Sequence, residues 1–352
     1  MAVAINLPEA VEVPRAKRRR FAFWHEMSTK AKVGVYIIGV FVIVGIIGPY
    51  IAPYDPSTQV PNVAVAAPSA AHLLGTTSFG QDILSQLLVG VRATLVLSLL
   101  VGLIATALSV IIGISAGFLG GWADEGLSLL SNVFLVLPSL PLLIVLLGYL
   151  PGHGDTPTIF VLSFLGWPWG ARVIRAQTLS IRQRDFVAAA RETGDSAWRL
   201  IFFEVMPNEV SLIAASFVGT VIYAIGTSVA LAFLGLADEN TWTLGTILYW
   251  AGSQSALQAN AWWWFVPPGV CVAALAAGLV LVNFGIDELG NPRLRDAAGG
   301  SRIGGRRWRP ADPTPVVIPG APVQRGRVAT FLHGFTRASA VEARATTRRE
   351  LR

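Results

Sequence analysis

The sequence predicts an all-α membrane protein with six transmembrane helices, and three observations carry that reading. Hydrophobic residues make up 53% of the chain and charged residues only 14%, against about a quarter charged in a typical soluble domain. The charges gather at both ends and in one central block, leaving long uncharged stretches between them. Six of those stretches approach the roughly 20 apolar residues that a helix needs to cross a bilayer.

Taken in order, residues 1–27 form a basic tail that holds Arg15 and the run Lys17-Arg18-Arg19-Arg20. A transmembrane domain follows over 28–296. Its first span is expected at 33–53. Basic residues precede it and small residues follow at Ala64–Ala67, as around a signal peptide. Its apolar run of about 20 residues exceeds the roughly 7–15 of a signal core, so it reads as a retained helix.

The second and third spans are expected at 93–118 and 126–150. Gly117, Gly120 and Gly121 suit the turn between them. Asn132 is polar within the third span and reads either as helix–helix glue or as a pathway group. Pro138 and Pro141 should kink that span, and kinks tolerated inside a membrane either pack on protein or line a cavity. Asn132, Pro138 and Pro141 are therefore the candidate pathway residues.

The fourth span, 156–172, is the shortest. Only 16 uncharged residues separate Asp155 from Arg172, with Pro168 among them, and Arg172 can snorkel to the interface to lengthen it. The fifth and sixth spans are expected at 208–236 and 262–286. The cluster Trp262-Trp263-Trp264 reads as an aromatic belt where the last span begins. Residues 297–352, rich in Gly, Pro, Ala and Arg, read as a disordered basic tail.

Charge sets the orientation. With both termini and the central loop inside, 26 of the 27 lysines and arginines lie on the cytoplasmic side, and only Arg92 remains outside. The outer segments 54–91 and 237–261 carry acids (Asp55, Asp82, Asp238, Glu239) and no other lysine or arginine. The positive-inside rule thus places both termini in the cytoplasm. It also accounts for the net charge of +6 without invoking nucleic acid.

The inventory excludes several chemistries. The three lysines, Lys17, Lys30 and Lys32, follow Ala16, Thr29 and Ala31, so none can belong to a phosphate-binding loop, which needs Gly directly before its Lys. If ATP drives the protein, another chain binds it. Cys271 is the one cysteine, which leaves no internal disulfide and no cysteine metal cluster. His25, His72, His153 and His333 are scattered without ligand-like spacing. No span interior is charged, which argues against a proton- or ion-coupled secondary transporter. A membrane-embedded enzyme would need a nucleophile or metal constellation that this inventory lacks.

Chemistry-bearing pattern concentrates between the fourth and fifth spans, in residues 180–208. The spacing predicts a helix over about 181–193, a break at Gly194 in the left-handed position that ends helices, and a second helix capped by Asp195 or Ser196. Trp198, Ile201, Phe202 and Val205 fall at i, i+3, i+4 and i+7, one apolar stripe, and Pro207 should stop that helix where the fifth span begins. Such a pair can lay an apolar face into a partner's groove or lie on the bilayer surface. Periodicity leaves both open.

The run D-F-V-A-A-A-R-E-T-G-D-S-A-W-R-L-I-F-F-E-V-M-P-N (185–208) resembles the "EAA" loop of ABC importer permeases, in the form found in peptide permeases. Asp185, Val187, Ala189, Ala190, Arg191, Gly194, Ser196, Arg199, Pro207 and Asn208 match. Ala188 stands where that motif usually has Glu, and Glu204 where it often has His. The resemblance covers about 30–296. I-A-P-Y-D-P (51–56), the H-L-L-G-T-T-S-F-G-Q-D stretch (72–82) continuing to Arg92, G-F-L-G-G-W-A-D (117–124), P-S-L-P-L-L-I (138–144), A-L-A-F-L-G-L (230–236) and N-P-R-L-R (291–295) are similar, in order and spacing, to the second permease subunit of oligopeptide and dipeptide importers. Gln81 and Gln86 replace arginines usual there.

The resemblance implies a type I ABC importer permease fold in a bacterial inner membrane, with residues 180–208 as a cytoplasmic coupling helix. It implies a second related permease subunit, two ATPase subunits that carry ATP and Mg, and an extracytoplasmic peptide-binding protein. This chain would bind no cofactor and supply no catalytic residue. The residues expected to couple to the ATPase are Asp185, Ala189, Ala190, Arg191, Gly194, Ser196, Trp198, Arg199, Phe202, Glu204 and Pro207. Nickel or a sugar is the alternative cargo on this architecture, while exporters of this class usually lack such a loop.

Overall fold

A computed structural model describes residues 27–149 and 155–290, together with a short antiparallel pairing of Arg302–Ile303 with Arg306–Arg307. The chain divides into two units, Met1–Arg295 and Asp296–Arg352. Apart from Met27 and that pairing, the expected tails at 1–27 and 297–352 lie outside the described residues, as do the 291–295 motif, His25, His153 and His333.

The first unit is helical. Helix α1 spans Thr29–Ile51, and the Ser28 hydroxyl caps it by accepting from the Ala31 N–H. Helix α2 spans Ile83–Leu119, 37 residues or about 55 Å at 1.5 Å per residue. It begins ten residues before the expected span because Asp82 caps it there, accepting from the Ser85 N–H at 2.8 Å. Helices α3 (Gly121–Val136) and α4 (Ser139–Tyr149) follow, then α5 (Asp155–Arg182) and α6 (Asp185–Glu192). The three-residue turn α7 (Ala197–Arg199) runs through a π-helical segment, Leu200–Val205, into α8 (Met206–Phe233). Helix α9 (Leu244–Ser253) lies within segment 237–261, and α10 (Trp262–Gly290) closes the unit.

Among the described residues, four helices are long and apolar enough to cross a membrane: α1, α2, the continuous run Ala197–Phe233, and α10. The expected third span is not one helix. Helices α3 and α4 meet at 91°, at Leu137-Pro138, because proline removes a backbone donor and restricts the residue before it. Counted together they make a fifth span. The expected fourth span lies in α5, whose 28 residues include Arg172, Arg175 and Arg182, so it falls short on apolar composition rather than length.

The most extensive helix pairing is α2 with α5, and small residues make it close. A Cβ on Gly113 would stand 2.7 Å from the Ala171 carbonyl oxygen, and one on Gly117 would stand 2.7 Å from the Thr178 Cβ. Such close approach is how membrane helices gain contact when burial gives little driving force. Ser109 Oγ adds a 2.7 Å hydrogen bond to the Trp167 carbonyl. Gly120 and Gly121, at φ 70° and 55°, make the tight turn from α2 to α3 that only glycine enters freely.

Segments 54–91 and 237–261 pack on one another. Trp263 and Trp264 are buried with Ile83, Ile247 and Ala251, and only Trp262 of the three is exposed. The tryptophan cluster does mark the start of α10, but two of its rings are core residues rather than a belt. Gln81 and Gln86, the departures from the family pattern, bond each other at 3.0 Å, and Gln86 also reaches the Pro56 carbonyl.

Candidate functional site: the loop between α5 and α8

The expected helix over 181–193 is two pieces. Helix α5 runs straight on to Arg182, and the chain turns at Gln183-Arg184 before α6 starts at Asp185. The Arg184 N–H bonds the Ile181 carbonyl across that turn. Helix α6 ends as a Schellman motif. The Gly194 N–H bonds the Arg191 carbonyl and the Asp195 N–H bonds the Ala190 carbonyl, with Gly194 at φ 89°, the geometry in which glycine carries no Cβ penalty. Of the two expected caps, Ser196 serves. Its hydroxyl accepts from the Arg199 N–H at 3.4 Å, while Asp195 pairs with Arg199 at 3.3 Å.

Beyond the break, the expected apolar stripe is divided. Val205 is buried with Phe118, Ile181, Val187 and Leu200, and Ile201 packs against them, whereas Trp198 is 71% exposed and Phe202 is exposed as well. The π segment is the cause. Its i to i+5 hydrogen bonding shifts the buried face, so Leu200 and Val205, five apart, both enter the cluster while Trp198 and Phe202 stay outside it. Nor does Pro207 stop the helix. It sits in the first turn of α8, directly after the π segment, where its missing N–H removes little.

The loop is anchored at its base and open on top. Phe118 at the end of α2, Ile181 at the end of α5, Val187 of α6, and Leu200 and Val205 form one cluster. The Arg191 guanidinium lies 5.8 Å from the Phe118 ring centroid, within cation–π range. Arg182 reaches the Gly117 carbonyl at 3.5 Å. Of the residues expected to couple, Ala190 and Glu204 are half-buried. Asp185, Ala189, Arg191, Gly194, Ser196, Trp198, Arg199, Phe202 and Pro207 are exposed. The Trp198 and Phe202 rings meet at a 46° tilt with centroids 4.3 Å apart, so aromatic surface is presented beside cationic Arg199 and Arg191.

Sequence reasoning missed the support beneath this face. Glu209 is fully buried, with Thr178 as its side-chain partner. Arg175 holds Asp124, its Nη2 2.7 Å from the Asp124 Oδ2, tying α5 to α3. An acid directly after Pro207-Asn208 was the available signal for Glu209. Nothing in sequence spacing links Asp124 to Arg175.

The candidate pathway residues separate from one another. Pro138 and Pro141 are exposed and flank the α3–α4 bend. Asn132 is exposed beside a small cleft that it shares with Arg172 and Arg175. Among the described residues, no group of three or more histidine, cysteine, aspartate and glutamate side chains could hold a metal ion.

Known proteins resemble this chain along most of its length. The family described as binding-protein-dependent transport system inner membrane component matches residues 109–296. The N-terminal TM domain of oligopeptide transport permease C matches residues 28–68. The di/tripeptide transport system permease protein DppC of Pseudomonas aeruginosa is 32% identical, over 78% of this chain and 93% of that one. The dipeptide permease DppC of Haemophilus influenzae is 28% identical, over 80% and 97%. The oligopeptide permease OppC of Bacillus subtilis is 29% identical, over 81% and 95%. Among solved structures, an inward-facing MetNI methionine ABC transporter aligns with TM-score 0.45 and 18% identity, covering 60% of this chain and 95% of that one.

Proposed function

The chain belongs to the binding-protein-dependent transport system inner membrane component family, and from that premise we infer that it is a membrane-spanning permease subunit of an ATP-driven importer that brings peptides into the cytoplasm. The relatives named for dipeptide, di/tripeptide and oligopeptide transport support peptide as the cargo. The chain is a multi-pass inner-membrane protein, with its termini and the 180–208 loop on the cytoplasmic side.

One observation carries the mechanism. A short helix, α6, ended by a Schellman turn, stands with the following turn α7 on a buried cluster contributed by α2, α5, α6 and the segment leading into α8, and Arg191 of α6 and Trp198 and Arg199 of α7 are exposed. A face that is stiff beneath and aromatic-plus-cationic above suits a protein groove. The cluster links it to three long helices, so a push on the loop moves them together. ATP and Mg act on two partner ATPase subunits, one of which grips this loop. A second, related permease subunit completes the path, and an extracytoplasmic binding protein delivers peptide to segments 54–91 and 237–261.

The test is co-purification and uptake. The chain is co-expressed with ATPase, permease and binding-protein subunits of a peptide importer, and the complex is reconstituted with ATP and a labelled tripeptide. Deleting 185–206, or Gly194→Trp, should release the ATPase and abolish uptake. An ATPase that stays bound after the deletion overturns the docking assignment.

A further inference from the structure

An apolar groove of about 560 Å³ lies between α1, α2, α8 and α10. Its wall includes Val42 and Ile46 on α1, Val96 and Leu99 on α2, Phe217 on α8 and Leu279 on α10. Val42, Ile46, Val96 and Leu99 are exposed, so this chain leaves the groove unfilled. Ser98, the one hydroxyl on its α2 side, is already bonded to the Leu95 carbonyl. Between Ile38 and Tyr50, which both line the groove, α1 advances about 18 Å at 1.5 Å per residue. That is close to one leaflet, half of a hydrocarbon core about 30 Å thick.

Arg92 is the one charged residue in that wall. It is exposed, and no ion pair among the described residues includes it. Asp82, the acid that caps the same helix, is taken up by His72 and Ser85. Gly45 brings α1 against α2 at this level, since a Cβ on it would stand 3.6 Å from the Arg92 Cα. Arg92 thus lies about 9 Å below the end of α1 at Ile51, and its long side chain can rise to the headgroup layer. A cation at such a depth is costly unless an anion meets it.

We propose that this groove binds one anionic phospholipid, with an acyl chain laid between α1 and α2 and the phosphate paired to the Arg92 guanidinium. The site lies outside the transport reading and takes from it only the orientation: with the termini in the cytoplasm, the lipid belongs to the outer leaflet. A phosphate stands at this depth above every acyl chain, and a guanidinium meets it through two parallel hydrogen bonds. A partner helix would have to carry an acid to the same depth, which is costly. A zwitterionic headgroup brings its own cation, and no acid lines the groove to receive it. A free phosphate would leave the apolar wall below uncovered. An anionic lipid satisfies both ends.

The test uses the full complex, purified from mixed phosphatidylglycerol and phosphatidylcholine and titrated with each lipid under native mass spectrometry. Phosphatidylglycerol should be retained in preference to phosphatidylcholine. Arg92→Gln should lower its affinity by about fivefold or more, the worth of one basic residue against anionic lipid, and leave phosphatidylcholine unchanged. Arg92→Lys should lose less, since the charge remains. Val96→Trp, which fills the groove and spares Arg92, should also release phosphatidylglycerol from a complex that still elutes intact. Glycerol phosphate, a headgroup without chains, should not compete. Phosphatidylglycerol retained by Arg92→Gln, or both lipids lost equally from it, overturns the proposal. Retention by Val96→Trp, or competition by glycerol phosphate, would reduce the site to a surface phosphate contact and overturns the acyl-chain assignment. A photo-crosslinker, p-benzoylphenylalanine placed at Val96, should join lipid, and a protein adduct there would mean that a partner helix covers the groove.

Discussion

The Thr178 hydroxyl donates a 2.8 Å hydrogen bond to Glu209 Oε1, joining the loop-side end of α5 to the first turn of α8. Glu209 is fully buried, and its second oxygen has no partner among the described residues. An acid held this way depends on its one bond. Thr178→Val should destabilise the chain by about 1–3 kcal/mol, the usual cost of stranding a buried polar group. Glu209→Gln retains an acceptor and should cost less. Thermal unfolding of the purified complex measures both. In the double variant the two effects should be non-additive, because the residues are in contact.

Gly194 has φ 89°, and nothing stands within 4 Å of where its Cβ would be. Its requirement is therefore conformational and not steric. Gly194→Ala should weaken ATPase co-purification by about 1 kcal/mol, or fivefold, through strain in the left-handed turn. Gly194→Asn should recover most of that, since asparagine tolerates the region. A pull-down titrated with ATPase subunit distinguishes the two. Equal losses would mean that bulk at the docking face matters instead.

How far the sequence reaches depends on the range of the interaction. Local signals held well. The break at Gly194, the Ser196 cap and the start of α10 at Trp262 each arise from neighbours within a few residues, and their physics is written in those residues. The α3–α4 bend was signalled by Pro138, but its angle was not, since 91° is set by what packs around it. The stripe Trp198, Ile201, Phe202 and Val205 divides, with Ile201 and Val205 on the buried cluster and Trp198 and Phe202 exposed, because it assumes 3.6 residues per turn. The π segment Leu200–Val205 changes the period, and no residue type announces such a segment. Glu209–Thr178 and Asp124–Arg175 are 31 and 51 residues apart. Those pairings exist only once α2, α3, α5 and α8 have packed.

The Asp124–Arg175 pair should behave as a tie between α3 and α5. Both side chains are partly buried, and the guanidinium meets the carboxylate through Nε and Nη2, a geometry lysine cannot copy. Arg175→Lys should therefore lose most of the interaction despite keeping the charge. Asp124→Arg alone sets two cations side by side and should lower the yield of folded chain sharply. Combining it with Arg175→Asp should restore much of that yield. Expression followed by size-exclusion chromatography reads the result, and a double variant no better than its parents would show that the pair is incidental.

Trp198 offers the sharpest separation between stability and docking. It is 71% exposed, and among the described residues its one aromatic neighbour is Phe202. Removing it takes nothing from the cluster of Phe118, Val187, Leu200 and Val205. Trp198→Ala should leave the unfolding temperature of the isolated chain within about a degree or two, as surface changes do. If the ring seats in an ATPase groove, the same variant should weaken association by about 2 kcal/mol or more, the level of an interface hot spot. That corresponds to roughly a thirtyfold loss of affinity. Leu200→Ala should do the reverse in the first measurement, costing about 2–5 kcal/mol of stability by opening a cavity under the loop. Association that survives Trp198→Ala unchanged would place the ATPase contact elsewhere on the loop.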